Sequence, residues 1–128
     1  MTVLDASAVL ALLQDEPGAD TVEDAIDEGA IISSVNLAEV LSKMVDAGAS
    51  ADAAAGLVLG LFTEIEPYGL QAALGSAQIR AAAPKAGLSL AGRACLTLAR
   101  TLDLPVITAD RDWLRVAEPL GADVRAIR

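Results

Sequence analysis

Three times in this chain a short aliphatic run stops at an acidic or hydroxyl residue and a helix-forming stretch follows at once. TVL runs into Asp5, AII into Ser33 and Ser34, and PVI into Thr108 and Asp110. Runs of this length, bounded by turn residues and rich in Val and Ile, read as buried strands. Strands that alternate with helices pair in parallel through right-handed crossovers, with helices on both faces of the sheet. Ligands of such sheets bind outside the carboxyl ends of the strands, near the point where strand order reverses. Asp5, Ser33, Ser34, Thr108 and Asp110 all fall at carboxyl ends.

The remaining elements follow the same alternation. ASAVLALLQDE reads as a helix stopped by Pro17-Gly18, and Ala19 to Glu28 as a second helix ending at Gly29. After strand AIISS come helix VNLAEVLSKMVDAG, helix Ala51 to Phe62, and a brief strand in TEIEPY stopped at Pro67. Leu70 to Ala83 is helical and closed by Pro84. Ser89 to Leu102 is helical, LPVIT is a strand, Asp112 to Leu120 contains a short helix, and ADVRAI is a last strand. With 128 residues and no low-complexity linker, residues 1–128 are expected to form one domain.

Composition removes many chemistries. There is no histidine, and Cys95 is the sole cysteine, which leaves out disulfides, cysteine-rich zinc sites and imidazole bases. Cys95 lies on an apolar helix face and reads as a core residue. Aromatics are 2% of the chain, namely Trp113, Tyr68 and Phe62, too few for a base-stacking platform. A net charge of -9 repels a nucleic-acid backbone over most of the surface, so contact with RNA or DNA must rest on a local arginine cluster or on metal ions. The N-terminus has no basic opening and carries Asp5 within its apolar stretch, and the apolar run Ala53 to Phe62 is about half the ~20 residues of a membrane span. A cytoplasmic protein without membrane association is expected.

What remains is carboxylate chemistry. Each acid has an ordinary structural reading. Asp5 can cap the helix after it, Glu39 can pair with Lys43 one turn on, Asp110 can serve a turn, and Asp112 can cap the helix starting at Trp113, its preferred role. Yet Asp5, Glu39 and Asp110 come from three units whose carboxyl edges should meet. Carboxylates gathered there raise one another's pKa unless a cation neutralises them, and a hard divalent ion, Mg²⁺ or Mn²⁺, suits oxygen ligands. Such an ion lowers the pKa of bound water and stabilises charge on a phosphoryl group, which removes the need for a histidine.

Four blocks in order, TVLDASAVLALL, ISSVNLAEVLSK, GLSLAGRACLTLA and LPVITADRDW, resemble the PIN-domain ribonucleases, specifically VapC-type toxins of toxin-antitoxin pairs, from Val3 to Ile127. The resemblance implies a three-layer α/β/α domain on a parallel sheet of about five strands. It places the family's first acid on Asp5, the second on Glu39 and the last on Asp110, which become the expected catalytic and metal-binding residues. Ser7, Asn36 and Thr108 occupy supporting polar positions, with Asp112 beside them. The implied activity is endoribonuclease cleavage with Mg²⁺ or Mn²⁺ of cellular RNA such as tRNA or rRNA. The implied partners are a second copy of the chain and a cognate VapB-like antitoxin, whose basic arm suits a chain of this charge.

One block departs from the family. LSL-x-D-R-A-C is the usual wording, and this chain reads LSLAGRAC, so Gly92 stands where the third acid belongs. If Ser89 is the N-cap, residue 92 is N3, where an acid favours the helix start and glycine costs up to about 1 kcal/mol relative to alanine. Close packing is the other use of a glycine, but the sequence reveals no partner that needs the space. Loss of one carboxylate weakens a metal site, so activity is expected to be weakened or abolished. The alternative is a non-catalytic PIN-fold protein that engages an antitoxin, with or without RNA contact, and does not cleave. An aspartyl-phosphate enzyme using Asp5 lacks the DxD start such chemistry uses. Arg80, Arg93 and Arg111 are the cations expected near RNA, and Val40 to Val45 and Ala53 to Phe62 offer apolar area for a dimer or an antitoxin.

Overall fold

A computed structural model describes residues Met1–Arg128. Its sheet has five strands, all parallel: β1 (Thr2–Leu4), β2 (Ala30–Ser33), β3 (Glu64–Glu66), β4 (Val106–Thr108) and β5 (Val124–Ala126). They lie in the order β3-β2-β1-β4-β5. The chain builds outward from β1 on one side, then returns to add β4 and β5 on the other. Strand order therefore reverses between β1 and β4, which makes the edge beyond Leu4 and Thr108 the expected ligand crevice.

Seven helices cover the sheet: α1 (Ala6–Leu13), α2 (Ala19–Glu28), α3 (Ser34–Asp46), α4 (Ala51–Val58), α5 (Leu70–Ala82), α6 (Leu90–Leu102) and α7 (Leu114–Leu120). Side chains alternate across a strand, and the core divides accordingly. Leu4, Ile32 and Ile107 face one side, packed with Val9, Val22, Val40 and Val58 of α1 to α4. Their neighbours Val3, Ile31 and Val106 face the other, with Ile79, Leu96, Val116 and Leu120 of α5 to α7. The expected α/β/α layering follows directly from this alternation. Cys95 is fully buried in the second core, and burial pushes its thiol well above the ordinary range, so it is a packing residue.

Element ends differ in small ways from expectation. α1 stops at Leu13 rather than running to Glu16, because Asp15 turns to φ 52. α4 stops at Val58, and Leu59–Leu61 tightens into a single 3₁₀ turn. No helix is long and apolar enough to cross a membrane. In the segments marked as apolar contact area, Val40, Ala54 and Val58 are buried, leaving Val45, Leu57 and Leu59 exposed.

The α5–α6 contact is unusually close. A Cβ built on Gly75 would lie 2.4 Å from Cγ2 of Thr97. Thr97 is held in place, since it is buried and its hydroxyl donates to the Arg93 carbonyl at 2.7 Å. Gly75→Ala is therefore expected to force the helices apart and lower unfolding free energy by about 1–3 kcal/mol, the usual range for overpacking. Urea unfolding followed by circular dichroism measures it, and a change below 0.5 kcal/mol contradicts the steric account.

Candidate active site

Asp5 stands where β1 ends and α1 begins. Its position is that of an N-cap, but its side chain makes no capping bond. Instead Oδ2 accepts hydrogen bonds from Ser7 Oγ at 2.6 Å and Thr108 Oγ1 at 2.9 Å, and Oδ1 accepts from Asn36 Nδ2 at 3.4 Å. The capping reading of Asp5 is thus replaced by a buried carboxylate held from three directions. Ser7 also accepts from the Ala109 N–H, and Thr108 Oγ1 accepts from the Asp110 N–H, so the ends of β1 and β4 are tied together through hydroxyls. Ser7, Asn36 and Thr108 all donate to the Asp5 carboxylate.

Asn36 extends the tie to α6. Its Nδ2 donates to the Ala91 carbonyl at 3.1 Å as well as to Asp5, while its Oδ1 is buried without a partner. One amide thus connects α3, the end of β1 and the first turn of α6.

Asp5, Glu39 and Asp110 line a single cleft of about 220 Å³, shared with Ser7, Lys43, Ser89 and Trp113. Its setting at the β1/β4 reversal is the one the topology predicts. Burial raises the Asp5 carboxyl above the ordinary range, against the lowering effect of its hydrogen bonds to Ser7 and Thr108. Partial burial raises Glu39 too, the Asp5 charge adds to the rise, and Lys43 opposes it. No three acidic side chains draw close enough to form a ready ligand set. Glu39 and Asp110 are both exposed, whereas Asp5 is buried.

A raised carboxyl pKa carries a sign for stability. The folded state holds the Asp5 proton more tightly than the unfolded chain, so its contribution is fully present below pH ~3.9 and is lost as pH rises through the raised folded value. In chelator, Asp5→Asn is expected to melt above the parent at pH 7, with the gap closing towards pH 3. Thermal scans across pH test this, and a variant less stable at pH 7 than at pH 3 relative to the parent contradicts it.

Asp112 and the three arginines need correction. Asp110, not Asp112, caps the 3₁₀ turn Arg111–Trp113, with its Oδ1 accepting the Asp112 N–H at 2.9 Å. Asp112 pairs with Arg115 at 2.7 Å, in solvent and outside the cleft. Arg80, Arg93 and Arg111 do not line the cleft. Arg111 donates to the Arg128 carbonyl, Arg80 is exposed near the end of α5, and Arg93 has its Nε buried without a partner.

Gly92 occupies N3 of α6 as expected, its N–H donating to Ser89 Oγ of the N-cap at 3.0 Å. A Cβ there would lie 3.1 Å from Cζ2 of Trp113, 3.4 Å from Ser89 Oγ and 3.7 Å from Leu88 Cδ2. The packing partner that the sequence did not reveal is therefore Trp113. Position 92 lies between Ser89 and Trp113, two residues that line the acidic cleft, one residue beyond the carbonyl that Asn36 holds.

Solved structures with this fold include FitAcB from Neisseria gonorrhoeae, at 21% identity and TM-score 0.77 over 99% of this chain and 98% of that one. VapBC2 from Rickettsia felis, bound to a promoter DNA fragment, aligns at 14% identity and TM-score 0.75 over 98% of this chain and 97% of that one. A toxin-antitoxin complex from Klebsiella pneumoniae aligns at 17% identity and TM-score 0.75 over 100% and 98%. No curated protein sequence matches the chain. At these identities the likenesses establish the fold, and family membership rests on the sequence itself. The PIN domain model matches residues 2–119, spanning the buried aspartate, both flanking acids and the glycine between them, so the chain belongs to the PIN domain family.

Proposed function

We propose that this chain is a VapC-like toxin, a metal-dependent endoribonuclease of a toxin-antitoxin pair, with cleavage weakened by the glycine at position 92. PIN domains are generally nucleases that use divalent metals. The observation that carries the reading is the cleft at the β1/β4 reversal, lined by Asp5, Glu39 and Asp110. The donors are all oxygen, which suits Mg²⁺ or Mn²⁺; Asp5 would anchor such an ion, and Glu39 and Asp110 would close on it as adjustable ligands. A bound divalent ion lowers the pKa of a water and offsets charge on the phosphodiester. Ser7, Thr108 and Asn36 hold the Asp5 carboxylate in one orientation, which keeps its outward-facing electrons available.

Position 92 contributes no carboxylate to this set. Its absence favours a specific second reading, a PIN-fold protein that binds antitoxin or RNA without cutting. An antitoxin partner accords with the neighbouring structures, which include VapBC complexes and a toxin-antitoxin complex. Incubation with total RNA over a range of Mn²⁺ concentrations tests the main reading. Slow, chelator-sensitive cleavage of tRNA or rRNA is expected. Antitoxin binding with no cleavage at any Mn²⁺ concentration establishes the second reading instead.

A further inference from the structure

We infer that Lys43 grips the phosphate backbone of the RNA at the mouth of the acidic cleft, a role resting on the nuclease reading above. By sequence alone, Lys43 can pair with Glu39 one turn away on α3. No close ion pair forms there: those present are Arg115–Asp112, Arg125–Asp123 and Arg128–Glu16, and the Lys43 side chain acts on Glu39 through space alone.

Of the nine lysines and arginines, Lys43 alone lines the cleft that holds Asp5, Glu39 and Asp110. It is exposed, while Asp5 is 6% exposed at the inner end. A polyanion approaching a chain of net charge -9 meets three carboxylates at this edge, and the one exposed ammonium beside them is the local positive charge that it needs. Lys43 also lines, with Leu10, the neighbouring apolar groove of Leu13, Met44 and Ala47 between α1 and α3. Lys43 thus borders both the acidic cleft and the apolar groove, within electrostatic reach of Glu39. A flexible stem with a point charge suits a backbone phosphate, whose position need not be fixed to within an ångström.

The test measures binding of a labelled single-stranded RNA by fluorescence anisotropy in Ca²⁺, across NaCl concentrations, so that cleavage is not the readout. Lys43→Ala is expected to weaken binding several-fold at low salt and to make the slope of log Kd against log[NaCl] shallower by about 0.7, the value of one phosphate contact on a single strand. Lys43→Arg is expected to keep both, as is Lys85→Ala, which removes an exposed lysine outside the cleft. An unchanged slope for Lys43→Ala, with the parent still binding, overturns the role of Lys43 and leaves the nuclease reading standing. A parent chain without saturable RNA binding overturns both.

Discussion

Gly92→Asp is expected to cleave RNA in Mn²⁺ about tenfold or more faster than the parent chain. The magnitude is a floor: altering groups that merely orient a ligand changes metal affinity by about 10–100-fold, and this substitution adds a ligand. Backbone geometry at position 92 permits it, because the residue lies within regular helix, with Ser89 already accepting its N–H. An acid at N3 also complements the helix dipole. The obstacle is Trp113, whose Cζ2 would lie 3.1 Å from the new Cβ, so the ring must retreat by a few tenths of an ångström. Gly92→Ala separates the two effects. It meets the same ring and gains up to about 1 kcal/mol of helix propensity, but brings no carboxylate. Its cleavage rate is expected to match the parent's. If alanine accelerates cleavage as much as aspartate, the gain comes from helix ordering and the missing-ligand account fails.

Asp5→Asn in the Gly92→Asp background is expected to lower cleavage by about 10²–10³-fold, the effect typical of removing one preorganised electrostatic group. The substitution keeps the shape of the side chain and an oxygen that can accept from Ser7 and Thr108, but it removes the charge. The same change is expected to stabilise the metal-free fold at pH 7, since burial penalises the ionised carboxylate there. A gain in melting temperature together with a loss of cleavage is the signature of a group kept for function at a cost in stability. Loss of cleavage with loss of stability instead identifies Asp5 as a structural acceptor for the hydroxyls around it. Single-turnover kinetics and thermal scans on the same preparations distinguish these outcomes.

How much of this was legible in the sequence depended on how strongly each residue was constrained. Val3 and Leu4, Ile31 and Ile32, and Val106 and Ile107 each send one side chain to either core, so short apolar runs between helices were enough to read a buried parallel sheet. Asp5 could be singled out because it sits at the end of the central strand, where sheets of this kind hold ligands. Thr108, 103 residues away in the chain, could be placed on the same edge by its strand end, whereas Ser7 was picked out only through the family resemblance.

Exposed charges were read less well. Asp112 was expected to cap and instead pairs with Arg115, while Asp110 takes the cap. Arg80, Arg93 and Arg111 were expected near RNA, yet Lys43 is the cation at the cleft. Pairings of solvated side chains differ by a kcal/mol or so at most, too little for sequence pattern to encode. Gly92 was legible as an anomaly but not as half of a contact. Trp113, its partner, lies after another strand, and the packing of an aromatic edge against a helix depends on the whole second core.

The proposed function requires a metal site one carboxylate short, with position 92 as the place of the missing donor. Calorimetric titration of Mn²⁺ into the parent chain, Gly92→Asp and Gly92→Ala measures it without reference to any RNA. Binding about tenfold or more tighter is expected for Gly92→Asp than for the parent, with Gly92→Ala unchanged. Equal affinities for all three contradict it, and place Gly92 with Trp113 as a packing pair alone.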